Sequence, residues 1–178
     1  MKTRWIVAAV GALGLALLTL HLPEPWLETA TANGGVCDAN AKPAPLNFTL
    51  KDVQNKDVKL GDFKGKVLVV DFWATWCGPC KLEIPGFVEM QRKYGAQGLQ
   101  FLGISVDDKL EELKPYVAEF KMNYPVLQGL GHDDVQDAFG PIWGIPTTIV
   151  ITRDGKICRK HQGFARKDVF ESEIKSLL

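Results

Sequence analysis

The chain is poor in the residues that would make it a metal protein or a nucleic-acid protein. Only three of its 178 residues are histidine, and His21, His132 and His161 lie too far apart to form a ligand pair. A zinc site built on two cysteines needs two further ligands at suitable spacing, and the sequence offers none. Charge of either sign in excess is also missing. Lys plus Arg and Asp plus Glu each total 21, for a formal net charge of zero. Taking away the first 32 residues removes Lys2, Arg4, Glu24 and Glu28 and leaves 19 of each sign. That balance gives no support to nucleic acid or any strongly charged partner. There are no internal repeats. Cysteine is scarce as well, with four residues: Cys37, Cys77, Cys80 and Cys158.

One long uncharged apolar run is present, at the start. Lys2 and Arg4 form a short positive region, and the 16 residues Trp5 to Leu20 carry no charge. Pro23 and Pro25 then break any helix, and Ala30-Thr31-Ala32 fits the small-x-small pattern of a signal peptidase site. Residues 1–32 therefore read as a cleaved signal peptide, the alternative being an uncleaved membrane anchor near the lower length limit for a span. Cys37 follows Gly34-Gly35-Val36 too far beyond the apolar run to be a lipoprotein cysteine. Either reading puts the rest of the chain outside the cytoplasm, where disulfides persist and cysteines are to be read first as redox groups.

Residues 33–44 are rich in Gly, Ala and Pro and read as a linker or tether, and residues 45–178 as one domain. Leu46 to Leu50 and Asp57 to Leu60 flank a polar turn and predict a hairpin. Val67 to Trp73 predicts a fully buried strand, with a helix following from about Lys81 to Tyr94, where Pro85 is expected to kink it. Leu99 to Val106 predicts a second buried strand and Lys109 to Phe120 an amphipathic helix. A short helix is expected over Asp133 to Phe139. Thr147 to Thr152 and Ile157 to His161 predict a closing hairpin, and Arg166 to Leu178 a last helix. The alternation indicates an α/β fold with helices around a central mixed sheet.

Trp76-Cys77-Gly78-Pro79-Cys80 stands where the buried strand hands over to the helix. Two thiols at this spacing make a dithiol/disulfide switch, and the first lies at a helix N-terminus, where backbone N–H groups favour a thiolate. Pro79 is tolerated in a first turn, and Gly78 is expected to let the backbone pass tightly. Asp71, in the middle of the apolar strand, is costly to bury as a charge, so its pKa is expected to be raised. Glu83 lies one turn after Cys80 on the same helical face.

Val69 to Cys80, together with Gly144-Ile145-Pro146-Thr147, resembles the thioredoxin superfamily. Within it the chain resembles extracytoplasmic thiol-disulfide oxidoreductases of the TlpA/ResA type, which carry an added N-terminal hairpin and an insert before the cis-proline strand. A lone Cys-x-x-Cys is a weak signal. With a strand before it, a helical proline after it and a distant Ile-Pro-Thr, it is specific. The resemblance implies that Cys77 is the nucleophile and Cys80 the resolving thiol. It also implies that Asp71 exchanges a proton with Cys80, and that an acid at the place of Glu83 shares that work. The family usually has a neutral residue where Asp71 stands when it has the acid of Glu83, and this chain carries both, so the pair is expected to titrate together. The alternatives from the residues alone are a structural hydrogen-bonding role for Asp71 and a solvated first-turn acid for Glu83.

The resemblance further makes Ile145-Pro146 a cis pair whose backbone receives an extended substrate. Trp76 and Trp143 then flank the sulfurs as an apolar rim, with core packing as the alternative for each. Trp73 reads as core. Cys37 and Cys158 either form a second disulfide or remain apart, and connectivity is not readable from sequence. Separate thiols are the default expectation. The acidic run from Asp107 to Glu112 reads as a solvated helix start.

The function expected is reduction of partner-protein disulfides outside the cytoplasm, without a cofactor. The resemblance implies a disulfide-bearing client, with apocytochrome c or a metal-site assembly protein as examples, and a membrane thiol-transfer protein as electron donor. The rival readings are a disulfide-forming oxidase or isomerase on the same fold, a peroxiredoxin-like peroxidase and a copper-handling module. No histidine accompanies the thiols to support the last.

Overall fold

The computed structural model describes Cys37 and residues 40–178. The leader assigned to residues 1–32 lies outside them. Among the described residues no helix is long and apolar enough to cross a membrane.

The core of the structure is a strand whose every residue is buried. β3 (Val67–Trp73) follows β1 (Thr49–Lys51) and β2 (Asp57–Lys59), which pair with each other as an antiparallel hairpin. After β3 come α1 (Gly78–Tyr94), β4 (Leu99–Ser105) and α2 (Leu110–Glu119). β5 (Val126–Gln128), α3 (Asp133–Ala138), β6 (Thr147–Ile151), β7 (Ile157–Gln162) and α4 (Lys167–Leu177) complete the chain. The main sheet has the order β5-β4-β3-β6-β7, parallel from β3 through β5 and antiparallel from β3 through β7. β3 is thus the central strand, which is why it reads as a continuous apolar run and not as an alternation.

Both faces of β3 are covered. Val67, Val69 and Trp73 pack with residues of α1, α2 and α4, including Ile84, Phe87, Leu113 and Phe170. Leu68, Val70 and Phe72 pack on the opposite face with Leu46, Leu50, Leu60, Val135 and Phe139. Full burial of a side chain such as Leu68 or Phe72 stabilises by roughly 1.5–3 kcal/mol. Successive strand residues point to opposite faces, so Asp71 lies on the face of Val69 and Trp73, under the helices. Pro85 sits inside α1 without ending it.

Cys37 and Cys158 are joined as a disulfide, with Cα atoms 4.3 Å apart and a separation of 121 positions in sequence. This corrects the expectation of separate thiols. The bond depends on a contact between the N-terminal segment and β7 that no local pattern announces. The same segment is held by main-chain bonds from Ala44 N–H to Gly155 O and from Ile157 N–H to Lys42 O. The stretch read as a linker is therefore fastened to the closing hairpin over its last residues.

Candidate active site

β3 ends at Trp73, a short loop follows, and Cys77 caps α1. Its backbone is extended (φ −77°, ψ 104°), and its Sγ accepts a hydrogen bond from the Cys80 N–H at 3.2 Å. That N–H is one of those a helix start leaves without an intrahelical partner, so the sulfur acts as the N-cap acceptor. Cys77 and Cys80 are joined as a disulfide with Cα atoms 5.3 Å apart, so the structure shows the oxidised pair. Cys77 is 3% exposed and Cys80 0%, so only a small difference in access separates them in this state. A Cβ at Gly78 would meet nothing within 4 Å, which corrects the expectation of tight backbone passage. The glycine instead leaves open space beside Cys77.

The loop before Cys77 is fixed by a carboxylate. Thr75 donates its N–H to Asp108 Oδ2 (2.8 Å) and its hydroxyl to Asp108 Oδ1 (2.6 Å). Ser105, the last residue of β4, donates to Asp108 Oδ2 at 2.6 Å. Asp108 is buried, so the reading of Asp107 to Glu112 as a wholly solvated helix start is wrong at this residue. Asp107 is exposed and accepts from the Trp76 indole N–H at 3.0 Å.

Two acids are buried near this junction in the chain, one in β3 and one within α1. Asp71 is buried in β3, opposite Gly103 of β4 and Thr148 of β6, and the Thr148 hydroxyl donates to its Oδ1 at 3.1 Å. Burial, and next the charge of Glu83, push the Asp71 carboxyl up to about 8, with the Thr148 bond pulling the other way. Glu83 is 5% exposed, which excludes the solvated first-turn alternative. The Ala165 N–H, from the loop ahead of α4, donates to its Oε1 at 2.7 Å. Burial pushes Glu83 up to about 7 against that hydrogen bond. At neutral pH the site therefore contains carboxyls that hold protons and give them up near the working range.

The Ile145-Pro146 bond is cis. Thr147 pairs with Phe72 in the β3–β6 ladder, so Pro146 lies at the same end of the sheet as the loop leading to Cys77. Trp76 is 64% exposed and Trp143 83%, so neither is a core residue, whereas Trp73 is fully buried. Leu82 and Phe164 are exposed too, and neither was singled out in the sequence. Leu82 stands in an apolar helix pattern where burial is the ordinary assumption. A cavity of about 230 Å³ is lined by Leu82, Glu83, Pro85, Phe87, Phe164 and Ala165 among others.

Comparison with known proteins agrees with this geometry. The model of the AhpC/TSA family matches residues 41–160. The thiol-disulfide oxidoreductase ResA of Bacillus thuringiensis subsp. konkukian is 32% identical over 136 residues, covering 76% of this chain and 77% of that protein. ResA of Geobacillus thermodenitrificans is 28% identical over 177 residues, covering 99% and 94%. The crystal structure of a thioredoxin-family thiol:disulfide interchange protein from Chlorobium tepidum TLS superposes with a TM-score of 0.71 at 34% identity, covering 79% of this chain and 98% of that one. On fold, dithiol and relatives together, the chain belongs to the AhpC/TSA family of the thioredoxin superfamily and is one of its thiol-disulfide oxidoreductases.

Proposed function

We propose that the protein works outside the cytoplasm and passes two electrons from the Cys77/Cys80 dithiol to disulfides of client proteins. The observation that carries this reading is the asymmetry of the pair. Cys77 Sγ caps a helix N-terminus beside the open space at Gly78, and Cys80 is wholly buried, with Asp71 and Glu83 as the buried acids nearest the helix start in sequence and register.

In the reduced protein the Cys77 thiolate attacks one sulfur of the client disulfide. A Cys77–client bond forms, the client S–S bond breaks, and the departing thiolate takes a proton. Cys80 loses its proton to the carboxylate form of Asp71 or Glu83 and attacks Cys77 Sγ. The Cys77–Cys80 bond forms, the mixed disulfide breaks, and the client leaves as a dithiol. The client segment runs along Ile145 and Pro146 in extended form, with Trp76, Trp143, Gly78 and Pro79 around its cysteine. Recharging needs a dithiol donor, for which a membrane thiol-transfer protein suits the compartment. Residues 1–32 then act as signal peptide or tether, 33–44 as linker and 45–178 as the working domain. Apocytochrome c and metal-site assembly proteins are client classes that suit this place.

The test is to trap partners in the native host with Cys80→Ser, which stops the cycle at the mixed disulfide, and to measure the reduction potential of the pair. A client captured through Cys77 and a potential near that of reducing thioredoxins are expected. A potential near that of strong oxidants would reverse the proposed direction, and rapid peroxide turnover would move the protein to the peroxidases.

A further inference from the structure

Among the described residues, four buried side-chain atoms have no hydrogen-bond partner: Trp73 Nε1, Glu83 Oε2, Tyr116 Oη and Tyr124 Oη. Three of them, Trp73, Tyr116 and Tyr124, are brought together around Trp73 and Gly103. Gly103 stands opposite Asp71 in the β3–β4 ladder, and a Cβ at Gly103 would lie 3.0 Å from Trp73 Nε1 and 3.4 Å from Tyr124 Cε2. The missing side chain of Gly103 thus admits the Trp73 and Tyr124 rings to the space beside Asp71. The Trp73 and Tyr116 rings are 5.1 Å apart. The Tyr124 phenol is pushed well above its ordinary range, first by burial and then by the charges of Asp71, Tyr116 and Glu83, which places all three within its electrostatic reach.

The chemistry of these atoms is complementary. An indole N–H only donates, a carboxyl accepts and when protonated also donates, and a phenol does both. Buried polar groups are nearly always satisfied, and a polar chamber with several such partners is where proteins hold water.

We propose that Tyr124 is a positioning residue for proton exchange at Cys80, its hydroxyl joined through bound water to Glu83, Trp73 and the Asp71 side of the site. The inference rests on the reading that Asp71 and Glu83 handle the Cys80 proton. A proton taken from Cys80 by one carboxylate passes to the other as the Tyr124 hydroxyl accepts one proton and donates another, so the pair gains one proton in total. The titratable groups whose charge acts on Tyr124 are Asp71 from β3, Glu83 from α1 and Tyr116 from α2. Tyr116 in turn feels Glu119 and Asp108, and Lys81 lies 5.9 Å from its ring centroid. From β4, the Phe101 ring lies 5.6 Å from that of Tyr124, and Gly103 leaves room for it.

Tyr124→Phe keeps the ring and deletes the hydroxyl. In the oxidised full chain, the carboxyl titrations of Asp71 and Glu83 are followed by carbon-detected NMR, and water contact by the nuclear Overhauser effect at the Trp73 indole proton. We expect a long-lived water at Trp73 in the parent, lost in Tyr124→Phe, and a carboxyl midpoint displaced by about half a pH unit. The release step falls by about fivefold with its pH optimum moved, and client KM is unchanged. Native near-UV circular dichroism with unmoved carboxyl midpoints and pH profile would overturn the proposal. If the variant does not fold, absence of the water signal in the parent overturns it alone. Asp71→Asn and Glu83→Gln separate the two levels. A flat response to both removes the reading beneath, whereas a response to them without one to Tyr124→Phe removes only this inference.

Discussion

Thr75 and Asp108 are joined twice, main-chain N–H to Oδ2 and hydroxyl to Oδ1, and the residue so held stands two places ahead of Cys77. Because Ser105 at the end of β4 donates to the same carboxylate, the position of Cys77 is referenced to the sheet. Asp108→Ala takes this acceptor from the half-buried N–H and hydroxyl of Thr75 and from the buried Ser105 hydroxyl at once, and should destabilise by roughly 2–4 kcal/mol. Urea unfolding checks this, together with the rate at which Cys77 attacks a model disulfide, which should fall. A stability change below about 0.5 kcal/mol, the size of an ordinary surface effect, would contradict the role given to Asp108.

Stability of the oxidised protein should decrease as pH rises from about 4 to about 8. The Asp71 carboxyl is raised to about 8 and that of Glu83 to about 7, so across this window the folded chain holds protons that the unfolded chain has released. Stability rises with pH only where the unfolded state binds more protons, and here it binds fewer. Each group contributes at most about 1.4 kcal/mol per pH unit while its two states differ. Urea midpoints at pH 5, 6.5 and 8 should fall in that order, and Asp71→Asn should flatten the slope and be the more stable protein at pH 8. A midpoint that climbs toward pH 8 would show that these carboxyls are not held protonated.

Removing the Cys37–Cys158 bond with Cys37→Ser and Cys158→Ser together should cost about 2–5 kcal/mol, since it closes a long loop of the unfolded chain. The Cys77/Cys80 chemistry should keep its rate in conditions where the variant is folded. Equal unfolding midpoints for parent and double variant would mean that the bond adds nothing to the fold.

Trp143, three positions ahead of the cis proline, is almost wholly exposed. Trp143→Ala should therefore change stability by no more than about 0.5 kcal/mol. It should lower kcat/KM toward a protein client by about tenfold, as the loss of an aromatic anchor does. Reduction of a small aromatic disulfide should be little affected. A large loss of stability with client kinetics intact would make Trp143 a packing residue.

How legible the site was depended on the range of the interactions that built it. β3 and the head of α1 are local patterns, and Val67–Trp73 runs as a strand over the residues its apolar run marks. Asp71 stood out because an acid in such a run has no solvent to face. Glu83 was ambiguous until the Ala165 loop, more than eighty positions away, closed over it. Asp108 was misread because an acidic residue in an acidic run at a helix start looks hydrated, and nothing nearby in sequence shows that Thr75 folds back onto it. Tyr124 carried no signal at all, since its place beside Asp71 depends on an empty side-chain position at Gly103, on another strand.

Cys77 and Cys158 are equally hidden, each 3% exposed, yet one belongs to a bond that must open in every cycle and the other to a bond that holds the chain together. Shielding from solvent therefore does not tell an incoming thiolate which of the two to cleave. The leaving group does. On the proposed recharging path a donor thiolate bonds to Cys77, and the donor's second thiol then attacks that mixed disulfide at the donor sulfur, so the charge expelled onto Cys77 is received by a helix N-terminus. Cys158 is set in the extended backbone of β7, away from any helix start of its own. On the proposed mechanism the two cross-links differ in where the chain offers to accept negative charge, and not in how far they are hidden.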